Sequence, residues 1–205
     1  MTATEHPLQA LATYLPEKSF DLIEKYLHQY KVHLTVTKER KTLLGDYRNA
    51  SHRNNHRITV NGTLNKYAFL ITLIHELAHL LTYEKFGHKV NAHGNEWKNS
   101  YSNLLTGFAE QKIFPEDIFF ALKKSFNNPA ASSCAEVELT RVLRKYDNKK
   151  NGIYLIEELQ AGEKFITKDK RIFLKGEKLR KRFRCTEIKT GIAYLFSPVY
   201  EVRKV

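Results

Sequence analysis

His75-Glu76-Leu77-Ala78-His79 brings together residue types, at a spacing, from which metal-dependent hydrolysis can be built. Two histidines four apart on a helix stand about one turn above each other and can share one divalent ion. Glu76 projects about 100° round the helix from His75 and about 60° from His79, beside such an ion rather than on it. Two imidazole ligands with a carboxylate placed to take a proton from water are what a zinc hydrolase needs. The competing reading is a buried helix whose histidines bond to neighbouring groups.

The surroundings favour the metal. Residues 67–81 read YAFLITLIHELAHLL, apolar nearly all round, so the helix is expected to be buried on most faces. Imidazoles and a carboxylate inside it are costly unless they pair, bind metal or face a cleft. A catalytic zinc usually takes three protein ligands and leaves one position open. His88, His93, Glu96 and Glu110 are the downstream candidates. A metzincin would carry a third histidine six residues after His79, where Lys85 stands, so that class is excluded. His88 lies in a loop past Gly87. His93 opens HGNEW, followed by Trp97, Tyr101, Leu104, Leu105 and Phe108 at helical spacing, with Asn95 as the expected cap. That stripe is expected to press on the metal helix and bring His93 over the ion. Glu96 as ligand, giving a thermolysin-like site, ranks second.

HELAHLLTYEKFG followed by HGNEW resembles the SprT-like zinc metalloprotease family over about residues 8–125. Gly45-Asp46-Tyr47 and Arg57-Ile58-Thr59-Val60 resemble the family's two short strands before the metal helix. The resemblance implies an α+β, zincin-like metalloprotease domain with His75, His79 and His93 on one Zn2+ and Glu76 as general base. It also implies peptide-bond hydrolysis, with a connection to DNA–protein crosslink repair. A second donor to the substrate oxygen would help, and Tyr47, His52 and His56 are its candidates. A further metal site on His52 and His56 is not expected, since the intervening residues have turn character.

Around this centre the expected order is helical (residues 8–15 and 20–30, Ser19 capping the second), then strands at 32–36 and 58–60, with a turn at Asn61-Gly62. Helices follow, the last over residues 115–126. Phe114, Phe119, Phe120 and Phe126 are expected in the core. The expected domains are residues 1–126, a linker over 127–136, and a basic, β-rich antiparallel domain over 137–205, with Val137 starting its first strand. Turns are expected at Asn151-Gly152, Lys175-Gly176 and Thr190-Gly191. Cys134 and Cys185 are too few for a zinc ribbon.

The chain carries a net charge of +12, unevenly: +3 through residue 137 and +9 from residue 138 on. Lys178, Arg180, Arg182 and Arg184 alternate, so on one strand they would share a face, with Leu179, Phe183 and Cys185 on the core side. Like charges in a row repel, and nucleic-acid phosphate is their expected partner, bound without sequence preference. Tyr194 and Phe196 would stack bases if exposed. The competing reading is a solvated sheet face. Two cysteines and no basic, apolar leader lead to the expectation of a cytoplasmic protein with no membrane partner. The function expected is a zinc metallopeptidase acting on protein or peptide, including nucleic-acid-bound protein. The alternative is a non-catalytic, zinc-containing nucleic-acid-binding adaptor.

Overall fold

The computed structural model describes residues 8–38, 40, 43–52, 54–127, 129, 137–148 and 152–205, in two compact units, Met1–Asp147 and Asn148–Val205. The first unit is α+β. A 3-10 helix, Leu8–Tyr14, precedes α1 (Phe20–Gln29), which buries Ile23 and Leu27, one turn apart. Ser19 stands at the N-cap position of α1, yet its hydroxyl donates to the Pro16 carbonyl (2.7 Å) instead of capping.

Three short strands form one sheet: β1 (His33–Thr37), β2 (Gly45–Arg48) and β3 (Arg57–Asn61), in the order β1-β3-β2. β1 runs parallel to β3, and β2 is antiparallel to it with Gly45 opposite Val60 and Tyr47 opposite Ile58. Ile58 and Val60 are fully buried.

α2 (Lys66–Phe86) is the centre of this unit. Asn65 caps it, its Oδ1 accepting from the Ala68 amide at 2.9 Å. Gly87 ends it at φ 62, a left-handed conformation glycine adopts freely, its amide donating to the Tyr83 carbonyl. A helix apolar on every side must be wrapped. The sheet and α3 (Asn95–Glu110) do this, α3 contributing Trp97, Tyr101, Leu104, Leu105 and Phe108. Leu73 and Leu77 are wholly buried, so truncating either to alanine costs about 2–5 kcal/mol. Gly94, in extended conformation, is the N-cap of α3, and Asn95 is its first helical residue rather than its cap.

α4 (Glu116–Asn127) follows. Phe114 is buried and Phe119 and Phe126 pack on the core, but Phe120 is 54% exposed, with the Lys123 ammonium 4.5 Å from its ring centre. The run starting at Val137 is a helix, α5 (Val137–Arg144), not a strand. Its apolar residues Leu139, Val142 and Leu143 recur at helical spacing and pack on the core, with Glu138 and Arg141 paired at i,i+3. Asn65 Nδ2 donates to the Leu143 carbonyl and the Tyr146 hydroxyl to Asp117 Oδ1, which ties the segment to the first unit. The β-rich unit therefore begins at Asn148 rather than at residue 137. Of the expected linker, only residues 127 and 129 are described, and Cys134 lies outside the described residues.

The second unit is a six-stranded antiparallel sheet in the order β4-β9-β5-β6-β7-β8. The strands are β4 (Ile153–Leu155), β5 (Lys164–Ile166), β6 (Ile172–Lys178), β7 (Phe183–Glu187), β8 (Ala193–Phe196) and β9 (Glu201–Lys204). Phe165, Phe173, Phe183, Cys185 and Val202 form its core. Gly191 turns at φ 70 as expected. Lys175-Gly176 is not a turn: it lies inside β6 at a bulge, where a Cβ on Gly176 would run into the Arg184 carbonyl.

Candidate metal centre

α2 carries His75 and His79, and the loop into α3 carries His93. Their Nε2 atoms converge: His79 to His93 is 3.1 Å and His93 to His75 is 3.4 Å. All three donor atoms lie within 4.8 Å of one another, the one such group of potential ligands among the described residues. Ligand nitrogens about 2.0–2.1 Å from a tetrahedral zinc stand roughly 3.3–3.4 Å apart. The His93–His75 separation matches that edge, and the His79–His93 separation falls slightly inside it.

Burial, with the neighbouring histidine charges adding to it, pushes His75 down to about 3 and His79 to about 4. Burial also lowers His93. All three rings are therefore neutral at pH 7, the form that offers a lone pair. Three half-buried imidazole nitrogens aimed at one point form a ready ligand set for one divalent ion.

Trp97 walls this centre. Its ring lies 4.7 Å from His75, 5.3 Å from His79 and 4.7 Å from His93, and it stacks on Tyr101. In the sequence Trp97 looked like one more member of the α3 stripe, and nothing marked its place among the ligands. The rival third ligands lie elsewhere: His88 is exposed against Tyr83, Glu96 sits half-buried in the first turn of α3, and Glu110 is exposed at its end.

Glu76 is 6% exposed, on the face of α2 turned to β2. Burial pushes its carboxyl up to about 8, with the Asp46 charge adding to the rise and Arg40 opposing it. A cation on the adjacent imidazoles would pull it back down. Arg40 is held by Asn61 Oδ1 (3.0 Å) and Thr59 Oγ1 (2.9 Å). Arg40 carried no signal in the sequence, and Asn61, the last residue of β3, was read only as part of a turn.

Of the second-donor candidates, Tyr47 lies with its ring parallel to that of His79, centroids 6.4 Å apart. His56 is buried behind it, and His52 is exposed in a turn.

The basic residues of the second unit do not lie on one strand. Lys178 is the last residue of β6, Arg180 and Arg182 lie in the connecting turn, and Arg184 is on β7. The Leu179 amide closes that turn on the Arg182 carbonyl at 2.8 Å. All four side chains are exposed, with Lys181 beside them, at the tip and flank of one hairpin. Leu179 is 42% exposed rather than in the core, whereas Phe183 and Cys185 are buried as expected. Four cations in a row repel less when a tip fans them into solvent than when a strand aligns them. Tyr194 and Phe196 do not form an open platform. They pack inward on Phe173, at 5.5 and 4.9 Å between ring centres. No helix among the described residues is long and apolar enough to cross a membrane.

Comparison with known proteins bears on the first unit. Residues 9–112 match the SprT-like family. The chain is 30% identical over 117 residues to Protein SprT of Shigella boydii serotype 18, a match covering 55% of this chain and 67% of the relative. It is 30% identical over 105 residues to Protein SprT of Escherichia coli strain K12, covering 51% and 60%. The chain thus spans about two thirds or less of the length of the curated relatives it matches. No solved structure matches it. With half of its length matched, across the helix that bears the paired histidines and the loop that bears the third, the chain belongs to the SprT-like family.

Proposed function

We propose that this chain is a zinc metallopeptidase, with one zinc ion on His75, His79 and His93 and Glu76 as general base. The observation that carries this reading is the convergence of three neutral imidazoles, with Nε2 separations of 3.1 and 3.4 Å, beside a buried carboxyl group. A zinc ion in that position supplies Lewis acidity towards a carbonyl oxygen and makes water acidic enough to ionise near pH 7.

The chain's own residues do the rest. Glu76, close-packed against β2, takes the proton from the attacking water on its carboxylate and passes it to the leaving amide nitrogen. Trp97 and Tyr101 exclude water from behind the ligands. β2 is an edge strand, and among the described residues no strand pairs with its outer side. An extended substrate can add there by main-chain hydrogen bonds, which bind polypeptide with little regard to side chain.

The basic hairpin of the second unit supports a nucleic-acid partner, DNA or RNA, gripped through its backbone without sequence preference. On this reading the peptidase acts on nucleic-acid-bound proteins in the cytoplasm, as crosslink repair requires. The same hairpin favours the second reading, a zinc-containing nucleic-acid-binding adaptor without catalysis.

Glu76→Gln separates the two. Zinc-loaded wild type should cleave a DNA-bound protein and stop on addition of chelator. The variant should hold one zinc per chain and lose about 10²–10⁴-fold in rate. Equal cleavage by the two proteins removes Glu76 from its role. A wild type that binds zinc and DNA but cuts nothing supports the adaptor.

A further inference from the structure

Gly45 and Tyr47, two residues apart on β2, face α2 from the same side of the strand, opposite buried Val60 and Ile58. Gly45 lies against Glu76, and the Tyr47 ring lies parallel to His79, at 4° between planes. One short strand thus runs along both the base and a proposed ligand.

The Tyr47 hydroxyl is held from behind in an unusual way. It lies 3.0 Å from His56 Nδ1, and the Ala50 amide donates to that same nitrogen at 3.2 Å. A backbone N–H can only donate, so Nδ1 is the bare nitrogen of the ring. The ring proton is therefore on Nε2, 3.2 Å from Glu84 Oε1. Tyr47 must also be a donor, and two hydrogens share one lone pair. One of them can leave without stranding a buried acceptor, and only the phenol's is free to turn.

We infer that Tyr47 is the second hydrogen-bond donor of this site, its hydroxyl turning from His56 to the carbonyl oxygen of the scissile peptide as that oxygen becomes anionic. His56 stays satisfied by Ala50 and Glu84 when the phenol departs. Of the other candidates, His56 has its ring hydrogen committed to Glu84, and His52 is exposed in a turn. The inference rests on the peptidase reading, and the role is that of an oxyanion donor, whose removal typically costs about 10²–10³ in kcat.

The test compares wild type, Tyr47→Phe and His56→Gln, all zinc-loaded and checked for metal content and melting temperature. Peptide cleavage is measured together with binding of a phosphinate peptide, whose tetrahedral anion mimics the attacked carbonyl. Tyr47→Phe should keep one zinc per chain and its KM, lose about 10²-fold or more in kcat, and weaken phosphinate binding at least tenfold. His56→Gln should lose less of each, because it removes the holder and not the donor. Equal losses in the two variants, or a Tyr47→Phe within twofold of wild type in phosphinate affinity, overturn the inference. If the wild type cleaves nothing, the peptidase reading fails, and the phosphinate comparison alone decides Tyr47. A phosphinate that does not bind wild type also overturns it.

Discussion

A Cβ placed on Gly45 would stand 2.5 Å from Glu76 Oε1, 2.8 Å from Thr72 Cγ2 and 2.9 Å from Glu76 Cγ. Glycine is required at this point because the carboxylate of the metal helix occupies the volume any side chain would take. The strand can then run directly along the proposed base. Backbone freedom is not the reason, since Gly45 is not among the residues of positive φ.

Gly45→Ala should therefore cost stability and activity together. Overpacking at so close an approach costs about 1–3 kcal/mol, read as a lowered denaturation midpoint. Proteolysis should fall at least tenfold as Glu76 is displaced. Zinc content should stay at one per chain, because the atoms nearest the added methyl belong to Glu76 and Thr72 rather than to the three imidazoles. A variant that lost zinc but kept its melting temperature would contradict this account of Gly45.

Trp97 is the chain's single tryptophan and lies within 5.3 Å of all three histidine rings. Its fluorescence should report the metal site directly. Titrating the metal-free protein with a paramagnetic Co2+ or Ni2+ ion should quench the emission with a stoichiometry of one, and His93→Ala should abolish the quenching. Free zinc at about 1,000 times its dissociation constant should stabilise the fold by about 4 kcal/mol, and chelator should remove that gain. Unchanged fluorescence and melting with and without metal would count against any ion at this centre.

In the second unit, Arg171 donates from Nε and Nη2 to the two oxygens of Glu187 at 2.8 and 3.0 Å. These bonds, and after them one from Thr190, hold the Glu187 carboxyl down to about 2 from an ordinary 4.5. A carboxylate depressed on folding adds stability that is complete above its unfolded pKa and is lost as pH falls through the folded one. The wild type should therefore lose this contribution between about pH 4.5 and 2. Glu187→Gln should be less stable at pH 7 and show a flatter acid limb in chemical denaturation. Parallel curves for the two proteins would rule out the linkage.

Replacing Lys178, Arg180 and Arg182 by glutamine removes three charges from the hairpin without touching the buried Phe183 and Cys185. Duplex affinity should fall, and the slope of log affinity against log salt should shrink by about 0.9 for each phosphate no longer neutralised. Cleavage of a free peptide should be unaffected, since His75, Glu76, His79 and His93 all lie in the first unit. An unchanged salt slope would assign nucleic-acid binding, if present, to another surface.

What could be read from residue order was whatever depends on short-range periodicity. Four-residue spacing puts His75 and His79 on one helical face, an uninterrupted apolar surround predicts that α2 is buried, and Gly87 ends it. The strands around Val36 and Val60 followed from β-branching, whereas the strand at Tyr47 came only from the resemblance to the family. Val137 misled because Val and Thr favour strands locally, while Leu139, Val142 and Leu143 are satisfied only by packing as a helix on the first unit. The basic stretch misled for a related reason. Alternating charge and apolar residues fit a strand, but a bulge at Gly176 and a turn at Leu179 put the cations at a hairpin tip.

Three-dimensional packing alone decided the rest. Choosing His93 over His88, Glu96 and Glu110 depends on how α3 lies along α2, which brings together side chains distant in the chain. The approach of Gly45 to Glu76, the wall made by Trp97 and the two donors on one nitrogen of His56 all join residues from different elements. Local spacing carries no information about such pairings, because they are set by which apolar faces bury each other. The sequence by itself therefore determined the helix that carries His75, Glu76 and His79, and tertiary packing decided which further groups stand beside them.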